Sequence, residues 1–422
     1  MKPDEGIRRA AERLLRNNLR RGVSPFDGQP YSFCVPSAGT YPYQWCWDSC
    51  FHAIVWTYFD TEQAKEELRT LLRAQDADGR IPHRICWNKR APLALRFKFH
   101  RRAFLHPVRS QLAGPPLLAV ALERVVERTG DLSFLAETLP GVERYYRWLA
   151  RRRDPDGNGL VSIIHPYESG LDHKPSYDIV VGLRNPPATA AVLAAKALDG
   201  WNRLLNYNLG AIFRFDRFNV TDVGYNCTYA QGLASLGRLW ERLGDRGKAE
   251  AYRNQSQQVE QAILSRCRHE DGLFYDLYSR GEKKALVRTV TCLFPLILDS
   301  IDRTAAERLV TEHLLSEQEF WLPYPVPSVA ADEPTFNPAF RSPLASGLWR
   351  GPTWIAVNWF IVQGLRKQGF YDVAQAVAER TGQLIERGGF REFYHPYTGT
   401  PYGAEGFGWS TLIVDMLAPG TR

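Results

Sequence analysis

Apolar residues recur along this chain with the period of a helix. Ala64, Leu68, Leu71 and Leu72, continued by Gln75, fall on one face of a helical wheel. The same spacing predicts helices over 5–20, 48–59, 115–129, 132–152, 186–207, 226–244, 246–266, 288–300, 303–315, 352–368, 371–387 and 408–417, about thirteen in all. No run alternates apolar and polar residues well enough to predict a strand, although short apolar runs such as Leu160–Ile164 suit small hairpins.

The turns between these helices repeat. E-R-T-G-D at 127–131, E-R-L-G-D at 241–245 and K-Q-G-F-Y-D at 367–372 each place a Gly to end one helix and an Asp to cap the next. The second helix of a pair runs into an Asp-Gly turn, at 78–79, 156–157 and 271–272. Short turns therefore alternate with long, aromatic-rich ones. That pattern predicts an all-α fold of helical hairpins with the long loops at one end, a closed toroid of inner and outer helices; pattern alone does not exclude an open solenoid. No low-complexity linker divides the chain, so residues 1–422 are expected to form a single domain. The Pro-rich stretch 322–338 reads as a long functional loop.

Composition narrows the class. The chain has 44% hydrophobic and 23% charged residues, which are globular values, and is rich in aromatics, with 12 Trp, 19 Tyr and 21 Phe. Net charge is +7, with Arg concentrated around 8–21, 96–109 and 144–153. Those segments lack the aromatic interleaving and the fold motifs of a nucleic-acid module, and solvated helix faces account for them. Seven scattered cysteines (34, 46, 50, 86, 227, 267, 292) form no C-x-x-C pair, and buried free thiols in a reducing, cytoplasmic compartment are expected. The charged, amphipathic N-terminus is unlike a signal peptide, and no apolar window is long enough to span a membrane.

The long loops hold the unusual residues. H-P-Y-E-S-G-L-D at 165–172 sets Glu168 and Asp172 four residues apart beside Gly and Pro; a second acidic site holds Glu392 and Glu405. Two carboxyl groups brought together from distant loops suit glycosidic bond hydrolysis, one as a protonated acid and one as a base or nucleophile. Spacing does not say which member of each pair acts. Tyr41, Trp45, Trp47 and Asp48 crowd one loop, His83 follows an Asp-Gly turn, and Trp349, Arg350, Gly351 and Trp354 lead into a helix. Aromatic faces beside Asp, Arg, His and Glu fit a carbohydrate cleft.

These segments also carry a family resemblance. Y-P-Y-Q-W-C-W-D at 41–48, E-S-G-x-D at 168–172, Y-P-V-P-S-V-A at 324–330, W-R-G-P-T-W at 349–354, F-R-E-F-Y-H-P-Y-T-G at 390–399 and F-G-W-S at 407–410 occur in family order across nearly the whole chain. The chain resembles the inverting α-glycosidases of glycoside hydrolase family 63 and the related trehalases, and within them the bacterial mannosylglycerate and glucosylglycerate hydrolases. The resemblance implies an (α/α)6 barrel, catalysis without cofactor or metal, Asp172 as general acid and Glu392 as general base. It implies a sugar subsite lined by Tyr41, Trp45, Trp47, Asp48, Trp349 and Trp354. Glu168 and Glu405 become supporting or hydroxyl-binding cleft residues, and His83, Gln111, Arg350 and Gly351 join the substrate-binding set. The chain departs from these relatives at Leu171, where they carry Trp, at His173–Ser176, at Gly114, where they carry Gln, and at Leu348, where they carry Tyr.

The expected reaction is protonation of the glycosidic oxygen by Asp172 while Glu392 deprotonates a water on the opposite face, with the carboxyls roughly 6.5–9.5 Å apart. Asp48 and Arg350 are expected to hold ring hydroxyls. The expected partner is a small glycoside with a glyceryl-type aglycone; Arg84, Lys89, Lys174 and Arg184 are available to its carboxylate, although solvated surface is the first reading of each. A neutral α-glucobiose or trehalose-like substrate is the alternative within the class. Outside it stand a sugar epimerase using paired His, drawn from His52, His83, His100, His106, His165, His173, His269, His313 and His395, and a non-catalytic helical-repeat binding protein.

Overall fold

The computed structural model describes residues 3–25, 27–87, 109–340 and 348–418. Lys89, His100, His106 and the 342–347 part of the loop before Trp349 lie outside the described residues. The structure is predominantly helical. Its α-helices are α1 (Pro3–Asn18), α2 (Cys46–Trp56), α3 (Thr61–Arg73), α4 (Leu118–Thr129), α5 (Leu132–Arg152), α6 (Ala188–Leu204), α7 (Leu209–Phe215), α8 (Val223–Arg242), α9 (Arg246–Ala262), α10 (Arg303–Arg308), α11 (Ile355–Lys367), α12 (Tyr371–Gly388) and α13 (Ile413–Leu417). The predicted helix over 288–300 is a 3-10 helix at Val290–Ile297 with Pro295 inside it. Both α9 and α10 widen into a π-helical last turn, which extends them over 263–267 and 309–314.

Strands are present where none was expected. Among the described residues they are short and sit in four small antiparallel sheets, so alternation has too few residues to show. β1 (Leu19–Val23) pairs with β2 (Pro30–Cys34), and β3 (Gln44–Trp45) with β4 (Arg84–Ile85). β5 (Val220–Thr221), β6 (Leu277–Tyr278) and β7 (Lys283–Lys284) form a three-stranded sheet, and β8 (Arg391–Tyr394) pairs with β9 (Pro401–Glu405). Of the 160–164 run, Ile163 forms a single bridge with Val220.

The repeating turns behave largely as the sequence requires. Gly130 ends α4 at φ 65°, and Asp131 accepts the Phe134 N–H at the start of α5. Asp245 caps α9 in the same way through Lys248 N–H. The third turn differs, because Phe370 holds the cap position and Asp372 lies inside the first turn of α12.

Hydropathy separates inner from outer helices. Every residue of α2 is buried, whereas α9 buries only Ala249, Tyr252, Ser256, Val259 and Glu260. A helix apolar on all sides must be surrounded by protein, and one with a single apolar stripe packs on the outside. The inner segments touch in sequence: α2 packs on α4, α4 on α8, α8 on 290–297, 290–297 on α11, α11 on 408–417, and 408–417 returns to α2. α3, α9 and α12 back α2, α8 and α11 from outside. Aromatic edges fill the centre, with Phe51 5.9 Å from Trp359 and Phe294 5.0 Å from Phe360. Each such contact contributes about 0.5–1.5 kcal/mol beyond area burial. The inner helices present their N-terminal ends to one set of loops, which carries the motifs described above.

Candidate active site

Glu392 and Glu405 are distinguished by the pleat. Arg391 pairs in register with Glu405, and the two side chains form an ion pair at 2.5 Å in which Glu405 is 77% exposed. Successive strand residues face opposite ways, so Glu392 points inward and is buried. The register slips between Arg391 and Phe393, setting Gly403 and Ala404 opposite Glu392, a bulge that aims the side chain. Gly403 has φ +71°, and a Cβ there would stand 2.6 Å from Glu392 Cβ, so only glycine fits. Tyr41 O–H donates to Glu392 Oε1 at 3.0 Å, and the Ala404 N–H donates to Oε2 at 2.9 Å. The expectation of Glu405 as a cleft residue is therefore corrected: its carboxylate lies at the surface with Arg391.

Glu168 and Asp172 separate just as clearly. The Glu168 carboxylate is fully buried, bound by two Arg153 nitrogens at 2.7 and 2.5 Å and by the N–H groups of Ala113 and Ile164, both at 2.8 Å. All its acceptor positions serve the scaffold, so Glu168 supports the loop and the expected substrate contact is corrected. Gly170 then reverses the chain at φ +79°. A Cβ here would meet the Trp47 ring at 2.5 Å, which explains the glycine in E-S-G-x-D. Beyond it, burial pushes the Asp172 carboxyl up to about 8, with the nearby charges of Glu392 and Asp48 adding to the effect.

Asp48 completes the acidic group. It lies in the first turn of α2, 3% exposed, with Oδ1 lacking a hydrogen-bond partner among the described residues. Burial raises it to about 7; His52 opposes this, and Glu392 and Glu67 add to it. The Tyr41 hydroxyl is pushed up by burial and then by Glu392, Asp172 and Asp48, so all four groups share one space. An unpartnered buried carboxyl oxygen is a ready acceptor for a sugar hydroxyl.

Aromatic rings wall this space. Trp349 stacks on Trp354 with centroids 3.6 Å apart, and Trp354 stacks on Phe393 at 4.5 Å. Trp409 meets Trp47, Trp349 and Trp354 edge-on, at 5.6, 6.4 and 5.8 Å. Phe407 meets Tyr41 at 5.6 Å, and Trp45 stands between Tyr41 and His83, 4.9 Å from the imidazole. Gln111 is half-buried on the segment that pairs with 82–85. Gly114, at a departure from the relatives, is packed so that a Cβ would stand 2.7 Å from Cys46 Cβ. Its carbonyl accepts from Tyr145 and Tyr225. Leu171 is buried in the core cluster.

Two cations expected at the substrate are engaged elsewhere. Arg350 is buried and binds Asp178 through both terminal nitrogens, at 2.9 and 2.5 Å, leaving only Nε without a partner. Gly351 donates its N–H to Ser328 Oγ at 2.9 Å. Lys174 is fully buried against Asp222, Asp276 and Thr291. Asp222 caps α8, so this cluster ties the segment after Asp172 to a helix end. A small cavity of about 20 Å³ lies between Asp172, His173, Lys174, Asp178 and Arg350. His173 there is lowered to about 3, by burial first and then by Arg350, so it is neutral. His165 accepts the Tyr167 N–H through Nδ1 and binds the Ala195 carbonyl through Nε2. The histidines nearest Asp172 thus do not form the acid–base pair an epimerase needs.

Sequence reasoning missed Asp178, Asp222 and Arg153, whose spacing gives no sign of their partners. It kept Trp409 as part of a motif without assigning it to the wall; an aromatic directly after G-F-G in an acidic loop was the available signal. For a metal, one trio of donors lies together among the described residues, Cys34, His52 and Glu67, with ligand atoms within 4.8 Å of one another. It sits in the core, where Ser49 and the Cys34 N–H already bind Glu67 and the Trp56 indole binds Cys34 Sγ. All seven cysteines are free and buried, and no helix among the described residues is long and apolar enough to cross a membrane.

The chain is similar to a mannosylglycerate hydrolase of Thermus thermophilus, 31% identical over 96% of this chain and 98% of the relative. It is 26% identical to a glucosylglycerate hydrolase of Mycolicibacterium hassiacum, over 89% of this chain and 91% of the relative. A crystal structure of the Thermus thermophilus family 63 enzyme with Tris and D-glycerate matches at TM-score 0.83 and 30% identity, over 98% of this chain and 100% of that one. Residues 41–410 match the mannosylglycerate hydrolase MGH1-like glycoside hydrolase domain, and the chain accordingly belongs to that family of glycoside hydrolases.

Proposed function

We propose that this enzyme hydrolyses a small α-glycoside with inversion, releasing mannose or glucose from mannosylglycerate or glucosylglycerate. The observation that carries the reading is the convergence of half-buried Asp172 with Glu392 and Asp48 on one aromatic-walled space, where desolvation raises the Asp172 carboxyl to about 8. Asp172 donates its proton to the glycosidic oxygen as the bond to the anomeric carbon breaks. Glu392, oriented by Tyr41 and the Ala404 N–H, takes a proton from water attacking the opposite face. Asp48 accepts a ring hydroxyl, and Trp47, Trp349, Trp354 and Trp409 exclude water around the sugar. The scaffold is an (α/α)6 barrel in this reading, supported by the circuit of inner-helix contacts that returns from 408–417 to α2. That circuit also supports a single-domain organisation, and the seven free thiols support a cytoplasmic setting.

A neutral α-glucobiose is the second reading. The observation favouring it is that Arg350 and Lys174 already carry carboxylate partners and so are not free for a glycerate carboxylate. Sugar release from mannosylglycerate, glucosylglycerate, trehalose and α-glucobioses separates the two. The first reading requires glycerate-linked sugars to give the highest kcat/KM; turnover confined to neutral disaccharides overturns it.

A further inference from the structure

The inner helices run parallel, so the ring has a second end, where their C-termini converge. A cavity of about 870 Å³ opens there, lined by side chains from α1, α4, α8, α11 and α13. It holds none of the acidic or aromatic residues of the catalytic end. Its charged lining is Arg8, Arg124, Arg128, Arg238, Arg366 and Lys367, against Glu123, Glu127 and Asp415.

The pairing of these groups is uneven. Arg238 is matched bidentately by Glu123, and Lys367 by Asp299. Among the described residues Arg8, Arg124, Arg128 and Arg366 hydrogen-bond only neutral acceptors: the Tyr58 carbonyl, the Gln363 side chain, the Thr57 carbonyl, and the carbonyls of Met416 and Ala418. Asp415 faces the same space and its charge favours Arg366, but its oxygens accept from the Tyr58 hydroxyl, the Trp359 indole and Gln363, and among the described residues none of the four arginines forms an ion pair with a carboxylate. Helix C-termini favour cations, which accounts for arginines at this end. It does not account for four guanidiniums around open space, each with five N–H donors and only one or two in use. Burial lowers the Arg366 guanidinium, Asp415 and Tyr58 oppose this, and the charge of Arg124 adds to it.

We propose that this cavity is a binding site for a small phosphate-bearing anion, separate from the catalytic centre at the other end of the ring. The guanidinium fork matches phosphate oxygens in pairs, and a bound anion relieves the repulsion among the four arginines.

Inorganic pyrophosphate is the probe, titrated calorimetrically into the full chain at low ionic strength. Saturable binding at one site is expected, with Kd raised at least tenfold in Arg124→Gln/Arg128→Gln and unchanged in Asp172→Asn. Arg128 is exposed, so Arg128→Gln alone is read if the double variant does not fold, and a Kd raised about threefold is expected, for loss of part of one charge-assisted contact. Absence of saturable heat in the wild type overturns the proposal. So does a Kd indifferent to the arginine substitutions, or binding lost in Asp172→Asn and retained in the arginine variants.

Discussion

Glu168→Gln tests whether the first acidic residue of E-S-G-x-D supports the site or contacts substrate. The change keeps size and removes charge. Arg153, itself buried, would then face a neutral amide, and the two backbone N–H groups of Ala113 and Ile164 would share a weaker acceptor. Breaking a buried ion pair from one side costs about 3–5 kcal/mol. Unfolding entropy for 422 residues is about 0.9 kcal/mol/K, so Tm should fall by about 3–6 °C. Because Glu168 holds the turn that presents Asp172, kcat should fall as well. Thermal and urea unfolding beside steady-state kinetics decide the matter. Stability within about 1 kcal/mol of wild type, with a large rise in KM alone, would refute the support role and restore Glu168 to the substrate.

Asp172→Asn should lower kcat by about 10²–10⁴-fold, the usual contribution of a positioned acid, measured on a glycerate-linked sugar. Asp172 and Asp48 are raised to about 8 and about 7, while the unfolded chain ionises near 4, so the folded state holds protons that the unfolded state releases. Stability should therefore fall as pH rises from about 4 to about 8. Urea unfolding of Asp172→Asn should show a shallower fall and higher stability than wild type at pH 8; an identical pH slope counts against a protonated Asp172. Tyr41→Phe removes a hydrogen bond to a charged oxygen, about 1.5–3 kcal/mol, and should cut kcat/KM by about 10–100-fold, checked by steady-state kinetics with Tm held near wild type. Lys174→Met leaves Asp222 and Asp276 buried without their cation and should destabilise by about 3–5 kcal/mol in urea unfolding.

Much of the fold is legible because helix periodicity is strong where one face is buried and the Gly-Asp turns punctuate it. Boundaries hold at α5 and α12 and blur at 290–297, where Pro295 removes an N–H and a tighter helix replaces the expected one. The small sheets are invisible because their strands have two to five residues, too few to carry a clear alternation. In the site, composition marks the loops, but the choice between Glu392 and Glu405 depends on strand pleat and a bulge, which are properties of pairing between 391–394 and 401–405. Arg350 illustrates the other limit. A conspicuous motif arginine is engaged by Asp178, a partner 172 positions away that no local pattern signals.

The central claim is that Asp172 and Glu392 act from opposite faces of the anomeric carbon. Proton NMR of the first sugar released from mannosylglycerate or glucosylglycerate reads this directly, before mutarotation. The account predicts the β-anomer as the initial product; the α-anomer would contradict it, requiring a covalent intermediate and carboxyls only about 5 Å apart.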